Sequence, residues 1–93
     1  IEISSHMVKV HGEKIFLSPK EFQILVLLAQ NPQRVLSNED LFQQIWGAES
    51  FGDYRTILVH ISNIRKKVES DPKNPVWIQT IKGVGYKFCP PAI

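Results

Sequence analysis

The sequence is poor in the features that mark secreted and membrane-spanning proteins. Its one cysteine, Cys89, cannot form an internal disulfide, which favours a reducing, cytoplasmic compartment. The longest apolar run covers residues 24–29, and a membrane span needs roughly 18 such residues. No signal-peptide pattern is visible. Because the chain begins with isoleucine rather than methionine, we expect it to be a piece of a longer protein.

Residue sets for catalysis and for metal binding are missing as well. The spacing suggests no Ser–His–acid set and no carboxylate pair, and the serines are accounted for as helix caps or helix surface. No second histidine, cysteine or acid lies at ligand spacing from His60. The pair Gly83 and Gly85 lacks the third glycine and the following helix of a dinucleotide site. We therefore expect no enzyme activity, no metal and no cofactor.

Acidic residues are scarce in the second part of the chain. Residues 1–53 carry four cations and seven anions, whereas residues 54–93 carry seven cations and two anions, which gives the net charge of +2. This separation favours an anionic partner for the basic part. A solvated cluster of lysines would give the same count, and charge alone leaves both interpretations open.

The length of 93 residues predicts a single domain over residues 1–93. Residues 1–17 alternate as short strands do, and a capping box then predicts a helix start, with Ser18 and Glu21 as its two members and Pro19 at the first helical position. This helix should end near Gln30, because the next residue precedes a proline.

Two further helices and a hairpin follow along the chain. Ser37 predicts the N-cap of a second helix that ends at Gly47. The third helix is predicted over residues 54–69, and strands over 76–81 and 86–88 form the hairpin. The predicted fold class is therefore α+β, with strands, three helices and a hairpin in that order.

The predicted third helix has two chemically different faces. Isoleucine and valine repeat at spacings of four, three and four residues, which indicates one buried stripe: Ile57, Ile61, Ile64 and Val68. The opposite side carries polar and basic residues with one valine among them: Arg55, Val59, Ser62, Asn63 and Lys66. The remaining positions flank these two faces: Thr56, His60 and Lys67 on one edge, Leu58 and Arg65 on the other.

The outward residues have the chemistry that a DNA duplex requires. Cations such as Arg55, Arg65 and Lys66 release the counterions condensed on phosphates. Asn63 can pair with both hydrogen-bonding atoms of an adenine edge, and Val59 can contact a thymine methyl group. Solvated side chains with no partner remain the alternative for each, and for Lys67 we prefer that alternative.

The hairpin and the histidine add two further candidates. Lys82 at the hairpin tip suits a narrow, electronegative minor groove, and Gly83 and Gly85 would let the backbone approach a phosphate. His60 is interpreted as a neutral donor to phosphate, with a packing histidine as the alternative. Together the residues predict sequence-specific binding of double-stranded DNA.

At this point the motifs resemble a known family, the winged-helix output domains of OmpR/PhoB-type response regulators. The matching segments follow in the family's order: LSPKEF at 17–22, WG at 46–47, RT at 55–56, HI at 60–61, RKK at 65–67 and TIKGVGY at 80–86. The resemblance implies a four-stranded N-terminal sheet, three helices and a wing. It also implies promoter binding for transcription regulation on direct repeats, the third helix in the major groove, and an upstream receiver domain as part of a two-component system.

The resemblance also implies roles for individual positions. Thr56, His60 and Arg65 match residues that usually touch phosphates, and Lys82 matches the basic residue that enters the minor groove. Other DNA contacts are matched by Trp46, Thr80, Gly85 and Tyr86. The loop 47–54 matches the segment that contacts RNA polymerase, which here comprises Ala48, Glu49, Ser50, Phe51, Gly52 and Asp53. The isolated domain is expected to be a monomer that pairs on DNA.

Two departures from the family affect specificity. Leu58 stands where the family usually has aspartate, and Ser62 or Asn63 stands where it commonly has arginine or another long polar residue. Leu58 accepts no hydrogen bond, so no target sequence of the family can be transferred. The adjacent apolar residues Leu58 and Val59 also allow a different function, a winged-helix module that binds protein without reading DNA.

Overall fold

The computed structural model describes residues 2–4, 7–47 and 55–90. They form three helices and two small antiparallel sheets. In chain order the elements are β1 (Glu2–Ser4), β2 (Met7–Val10), β3 (Glu13–Ile15), α1 (Pro19–Ala29), β4 (Leu36–Ser37), α2 (Asn38–Trp46), α3 (Arg55–Val68), β5 (Ile78–Ile81) and β6 (Gly85–Phe88).

The N-terminal sheet has the order β1-β2-β3 and is antiparallel throughout. Between β2 and β3 the chain reverses in two residues, His11 and Gly12, whose φ angles are 51° and 82°. Two successive positive φ angles match the right-handed twist of a tight hairpin. The described residues therefore give this sheet three strands, whereas the resemblance implied four.

Helix α1 begins at the predicted capping box. The Ser18 hydroxyl accepts the backbone N–H of Glu21 at 3.2 Å, and the Glu21 carboxylate accepts the backbone N–H of Ser18 at 3.0 Å. The same carboxylate oxygen accepts a hydrogen bond from Lys67 Nζ at 2.8 Å, and Glu21 is only 6% exposed. One side chain therefore caps α1 and ties it to α3.

Helices α2 and α3 also follow their sequence signals. Ser37 and Asp40 form the capping box of α2, and Gly47, with φ 98°, lies at its C-cap. The described part of α3 begins at Arg55, and its predicted stripe is fully buried in the core that the three helices share with β2, β4, β5 and β6.

The second sheet has the order β4-β6-β5, so the predicted hairpin gains a third strand. This strand, β4, was not predicted because two residues carry no readable alternation. The prediction that β5 starts at Val76 was wrong by two residues. The buried Glu69 carboxylate accepts the backbone N–H groups of Val76, Trp77 and Ile78 at 2.9, 3.0 and 2.8 Å. These three N–H groups are therefore satisfied by a side chain, while the Trp77 carbonyl accepts the Cys89 N–H at 2.7 Å.

Gly85 lies in β6, directly opposite Ser37 of the paired strand β4. A Cβ atom at this position would lie 2.0 Å from the carbonyl oxygen of Leu36 and 2.7 Å from Cα of Ser37. Real carbon atoms do not approach a backbone this closely, so the pairing of β4 with β6 requires glycine here. The requirement is steric, since the backbone of Gly85 lies outside the left-handed region.

We expect Gly85→Ala to lower the free energy of unfolding by about 2–3 kcal/mol, because the methyl group must displace backbone. The matched control is Gly12→Ala, where φ is +82° and the space is open, so only backbone strain of roughly 1 kcal/mol applies. Urea unfolding of both variants measures the difference. Equal losses in the two variants would contradict the steric explanation.

The link between Glu21 and Lys67 predicts a stability that depends on pH. Burial raises the pKa of the Glu21 carboxyl, but hydrogen bonds from Lys67 and from the Ser18 N–H, with the charge of Lys67, outweigh it and lower the pKa below its ordinary value. A depressed carboxyl pKa stabilises the folded state above the unfolded pKa, and this stabilisation is lost as the pH falls through the folded pKa.

We therefore expect Lys67→Met to destabilise the domain by about 1 kcal/mol at about pH 7, since a buried carboxylate loses a partner that is itself partly exposed. The difference from the wild type should shrink as the pH falls through the lowered pKa of Glu21, because the carboxyl then becomes protonated in both proteins. Lys66→Met is the control, because Lys66 is exposed on the outer face of α3. A loss that is independent of pH, or equal for both lysines, would refute the assignment.

Candidate nucleic-acid interface

The outer face of α3 presents the residues that the sequence predicted for it. Arg55, Ser62 and Lys66 are exposed, Asn63 is partly exposed, and Val59 is 59% exposed. All five lie opposite the buried stripe of the same helix. The helix therefore offers two cations, a hydroxyl, an amide and a methyl-bearing side chain on one surface.

The hairpin of β5 and β6 forms the wing, and its tip is basic. Ile81 pairs with Gly85, so Lys82, Gly83 and Val84 make the turn, which is closed by a hydrogen bond of 2.9 Å from the Val84 N–H to the Ile81 carbonyl. Gly83 has φ 76°, which only glycine adopts without strain. Lys82 is exposed at the tip, as expected.

Arg65 connects α3 to the wing. Its Nε and Nη2 atoms donate to the carbonyl of Ile78 at 3.2 and 2.9 Å, and Nη2 also donates to Thr80 Oγ1 at 2.7 Å. The guanidinium carbon lies 5.5 Å from the centre of the Tyr86 ring. Three predicted site residues, Arg65, Thr80 and Tyr86, are therefore brought together, and Arg65 fixes the wing relative to the helix.

Burial explains the electrostatics of this connection. Loss of solvent lowers the pKa of the Arg65 guanidinium, against opposing contributions from Tyr86 and Glu69. Burial also raises the pKa of the Tyr86 hydroxyl, which Arg65 partly offsets. Arginine stays charged at any ordinary pH, so the cluster carries a positive charge between α3 and β5.

His60 lies at the other edge of α3, next to two further predicted residues. Its Nδ1 atom is 2.7 Å from the carbonyl oxygen of Thr56, and its ring meets the ring of Trp46 edge-on at 5.3 Å. A carbonyl only accepts, so Nδ1 carries the proton and Nε2 of the neutral ring has none. This hydrogen bond and the contact with Trp46 give His60 a packing role, which the sequence left open as the alternative. The contact of His60 with phosphate remains a prediction.

Trp46 is largely committed to packing. Its ring stacks on Phe42 with centroids 5.1 Å apart, and Lys20 Nζ lies 5.2 Å from the ring centre while donating to the Ile45 carbonyl at 3.0 Å. The indole is partly buried at the end of α2 and faces His60. The two aromatic residues therefore form one edge of the candidate surface.

Two predicted wing residues are buried. Tyr86 belongs to the hydrophobic core, and Gly85 is packed against β4. The expectation was that Gly85 brings the backbone close to phosphate, yet the contact with Leu36 and Ser37 already accounts for glycine at this position. Their predicted DNA contacts remain untested predictions.

Lys73 is a cation near the site that the sequence did not predict as a site residue. It lines a groove beside α3 together with Ser62, Lys66 and Asp71. Asp71 holds the turn, since its carboxylate accepts the Lys73 N–H at 3.0 Å and Asn74 Nδ2 at 2.9 Å, and the bonds from Asn74 and Lys73 lower the pKa of Asp71. The Asp-Pro-Lys-Asn turn was visible in the sequence, but its position beside α3 was not.

The predicted polymerase-contact loop, Ala48, Glu49, Ser50, Phe51, Gly52 and Asp53, lies outside the described residues. Within the part of the chain that the structure describes, no group of three or more histidine, cysteine, aspartate or glutamate residues is placed to hold a metal ion. None of the described helices has the length and apolar character to cross a membrane.

Comparison with known proteins identifies the family. Residues 12–88 match the family described as "Transcriptional regulatory protein, C terminal". The DNA-binding response regulator MtrA of Mycobacterium tuberculosis is 44% identical over 91 residues, which cover 98% of this chain and 40% of that protein. The sensory transduction protein RegX3 of Mycolicibacterium smegmatis is 44% identical over 88 residues, which cover 95% of this chain and 39% of that protein.

Solved structures with the same fold include response regulator DrrB, an OmpR/PhoB homologue of Thermotoga maritima. It is 42% identical with a TM-score of 0.79 and covers 85% of this chain and 36% of its own. The RstA DNA-binding domain of Klebsiella pneumoniae, in complex with the RstA box, is 30% identical with a TM-score of 0.80 and covers 89% of this chain and 82% of its own. The predicted α+β winged-helix fold is confirmed.

The chain spans about two fifths of the length of the curated relatives that it matches. The family match extends over most of the described residues, including all three helices and the wing. The chain belongs to the family of C-terminal domains of transcriptional regulatory proteins, of the OmpR/PhoB type.

Proposed function

We propose that this domain binds double-stranded promoter DNA in a sequence-specific manner and so regulates transcription as the output domain of a two-component response regulator. The observation that carries the proposal is the Arg65 connection. It fixes the exposed face of α3 and the basic tip of the wing in one arrangement. A helix enters a major groove, and a basic tip suits the adjacent minor groove.

The phosphate contacts are assigned to the outer face of α3 and to the edge of α3 near α2. Arg55 and Lys66 are exposed cations on the outer face, and Thr56, His60 and Trp46 form the edge near α2. Side chains of these types fix the orientation of a protein on a duplex without reading its sequence. Lys73, in the groove beside Lys66, is added to this set.

Base reading is assigned to the middle of the outer face of α3. Asn63 is the candidate for adenine, with Ser62 and Val59 beside it on the same surface. In the wing, Lys82 enters the minor groove, and Thr80, Gly85 and Tyr86 support it from β5 and β6. Arg65 serves first to position the wing and adds positive charge near the backbone.

Membership of the family supports proposals about the partners of the whole protein. We propose that residues 1–93 form one DNA-binding domain, that a receiver domain lies outside this stretch, and that the protein acts in the cytoplasm. The loop 47–54 is proposed to contact RNA polymerase. The isolated domain is proposed to be a monomer that pairs on direct-repeat half-sites.

One observation favours an alternative function. Leu58 and Val59 are 49% and 59% exposed next to each other on α3. Adjacent exposed apolar side chains can mark a protein-binding surface. A winged-helix module that binds protein without reading DNA would use the same helix face, and the selection experiment below distinguishes the two functions.

Selection of bound duplexes from a random DNA pool should enrich repeated half-sites about one helical turn apart. Sedimentation of the domain alone at micromolar concentration should show a monomer.

Asn63→Ala should relax the preference at one base pair by about 1–3 kcal/mol. Gln23→Ala, an exposed amide on α1, is the control and should change nothing. No enrichment and no binding at low salt would favour the protein-binding alternative.

Lys82→Ala should weaken binding to every duplex and reduce the slope of log K against log salt concentration by about one, because a cation near the backbone is lost. Lys14→Ala removes an equally exposed cation on β3 and should leave affinity and slope unchanged. Titrations at two salt concentrations measure both. Unchanged values for Lys82→Ala would remove the wing tip from the mechanism.

A further inference from the structure

Leu58 is the exposed apolar residue of α3 that lies nearest the wing. It lines the groove that contains Ser62 and Lys66, and it also lines the cleft that contains Ile81 and Val84 of the wing. It is therefore placed between the outer face of α3 and the hairpin. At 49% exposure, about half of its surface faces solvent in the described structure.

The surroundings of Leu58 and Val59 are polar and basic. Ser62 and Asn63 follow one helical turn after them, and Arg55 and Lys66 lie before and beyond on the same face. On its wing side Leu58 borders two apolar residues, Ile81 and Val84. On the outer face of α3 the pair is framed by cations and hydrogen-bonding groups, and this arrangement matches a major groove, in which the thymine methyl group is the apolar contact.

We propose that Leu58 and Val59 together read the 5-methyl groups of thymine. At the base pairs that these two residues contact, the domain selects its operator by methyl contacts instead of hydrogen bonds. The proposal rests on the proposed DNA binding and names its specificity. Neither side chain can donate or accept a hydrogen bond, so neither can distinguish bases by their polar edges. What they can distinguish is the presence of a methyl group.

The helix geometry places the methyl contacts relative to the adenine contact. Val59 precedes Asn63 by four residues, which is about 6 Å along the helix axis. This distance corresponds to roughly two base-pair steps of duplex DNA. We therefore expect one or two thymines about two base pairs from the adenine that Asn63 reads. The thymine that Leu58 reads should lie on the side of the site nearer the wing.

Deoxyuridine tests this directly, because it differs from thymidine only by the absence of the methyl group. The 93-residue domain is titrated with its selected operator, and each thymine of one half-site is replaced singly by deoxyuridine. At one or two positions the affinity of the wild type should fall about threefold to fourfold, the effect of one buried methyl group. At the remaining positions it should not change.

The variants assign the effect to residues. In Leu58→Ala or Val59→Ala, deoxyuridine at the position read by the altered residue should no longer weaken binding, while the other position keeps its effect. Val76→Ala is the matched control, since Val76 is 62% exposed and lies outside the helices. Circular dichroism and urea unfolding confirm that each variant is folded.

Two outcomes overturn the proposal, and they differ. An operator that binds equally well with deoxyuridine at every position, or with the same losses in all variants, overturns the methyl reading and leaves the proposed DNA binding intact. Failure to select any duplex overturns both. In that case, loss of a bound protein partner in Val59→Asp would assign the pair to protein binding.

Discussion

The arrangement of α3 and the wing depends on one residue, Ile78, whose backbone N–H and carbonyl are both hydrogen-bonded to side chains at the C-terminal end of α3. Glu69 accepts the Ile78 N–H at 2.8 Å, and Arg65 donates to the Ile78 carbonyl at 2.9 Å. Arg65 lies in the last turn of α3, and Glu69 follows the helix directly, four residues after Arg65. Because β5 is an edge strand, its outward backbone groups need partners. At Ile78, Arg65 of α3 and the adjoining Glu69 supply these partners, and the wing is fixed to the helix as a result.

This connection changes how the charges of α3 should be counted. Lys66 and Lys67 are adjacent, yet Lys66 is exposed on the outer face and Lys67 is hydrogen-bonded to the buried carboxylate of Glu21. Arg65 is engaged with β5. The basic run RKK therefore contains a positioning residue, a surface cation and a structural cation. A net charge calculated over the segment treats these three residues as equal.

The sequence predicted the features that depend on near neighbours. The capping box at Ser18, the N-cap at Ser37 and the buried stripe of α3 involve residues three or four positions apart, so local pattern determines them. The features that it missed depend on distant pairs. Gly85 is required because the backbone of Leu36 and Ser37 in β4 lies against it, and Glu69 accepts the N–H groups of Val76 and Trp77, which precede β5.

In the candidate site, too, the sequence predicted the features that depend on local pattern and missed others that depend on the folded arrangement. Exposure of the outer face of α3 and the basic wing tip follows from helical period and turn chemistry, and both were predicted. The hydrogen bond between His60 Nδ1 and the Thr56 carbonyl was not, because residue type alone does not show which way the ring turns. Lys73 was counted as a charge only, because nothing local shows that its turn lies beside Lys66.

Arg65 illustrates why affinity alone cannot assign a residue in this interface. If the guanidinium contacted only phosphate, its removal would lower the salt dependence of binding and leave the fold unchanged. Arg65 also holds Ile78 and Thr80, so its removal exposes the edge of β5 and frees the wing. Loss of affinity would then combine a missing charge with the entropy of ordering the wing again on DNA. The two contributions separate only when the salt slope and the unfolding free energy are measured on the same variant. The salt slope reports the lost charge, and the unfolding free energy reports the lost connection between α3 and the wing.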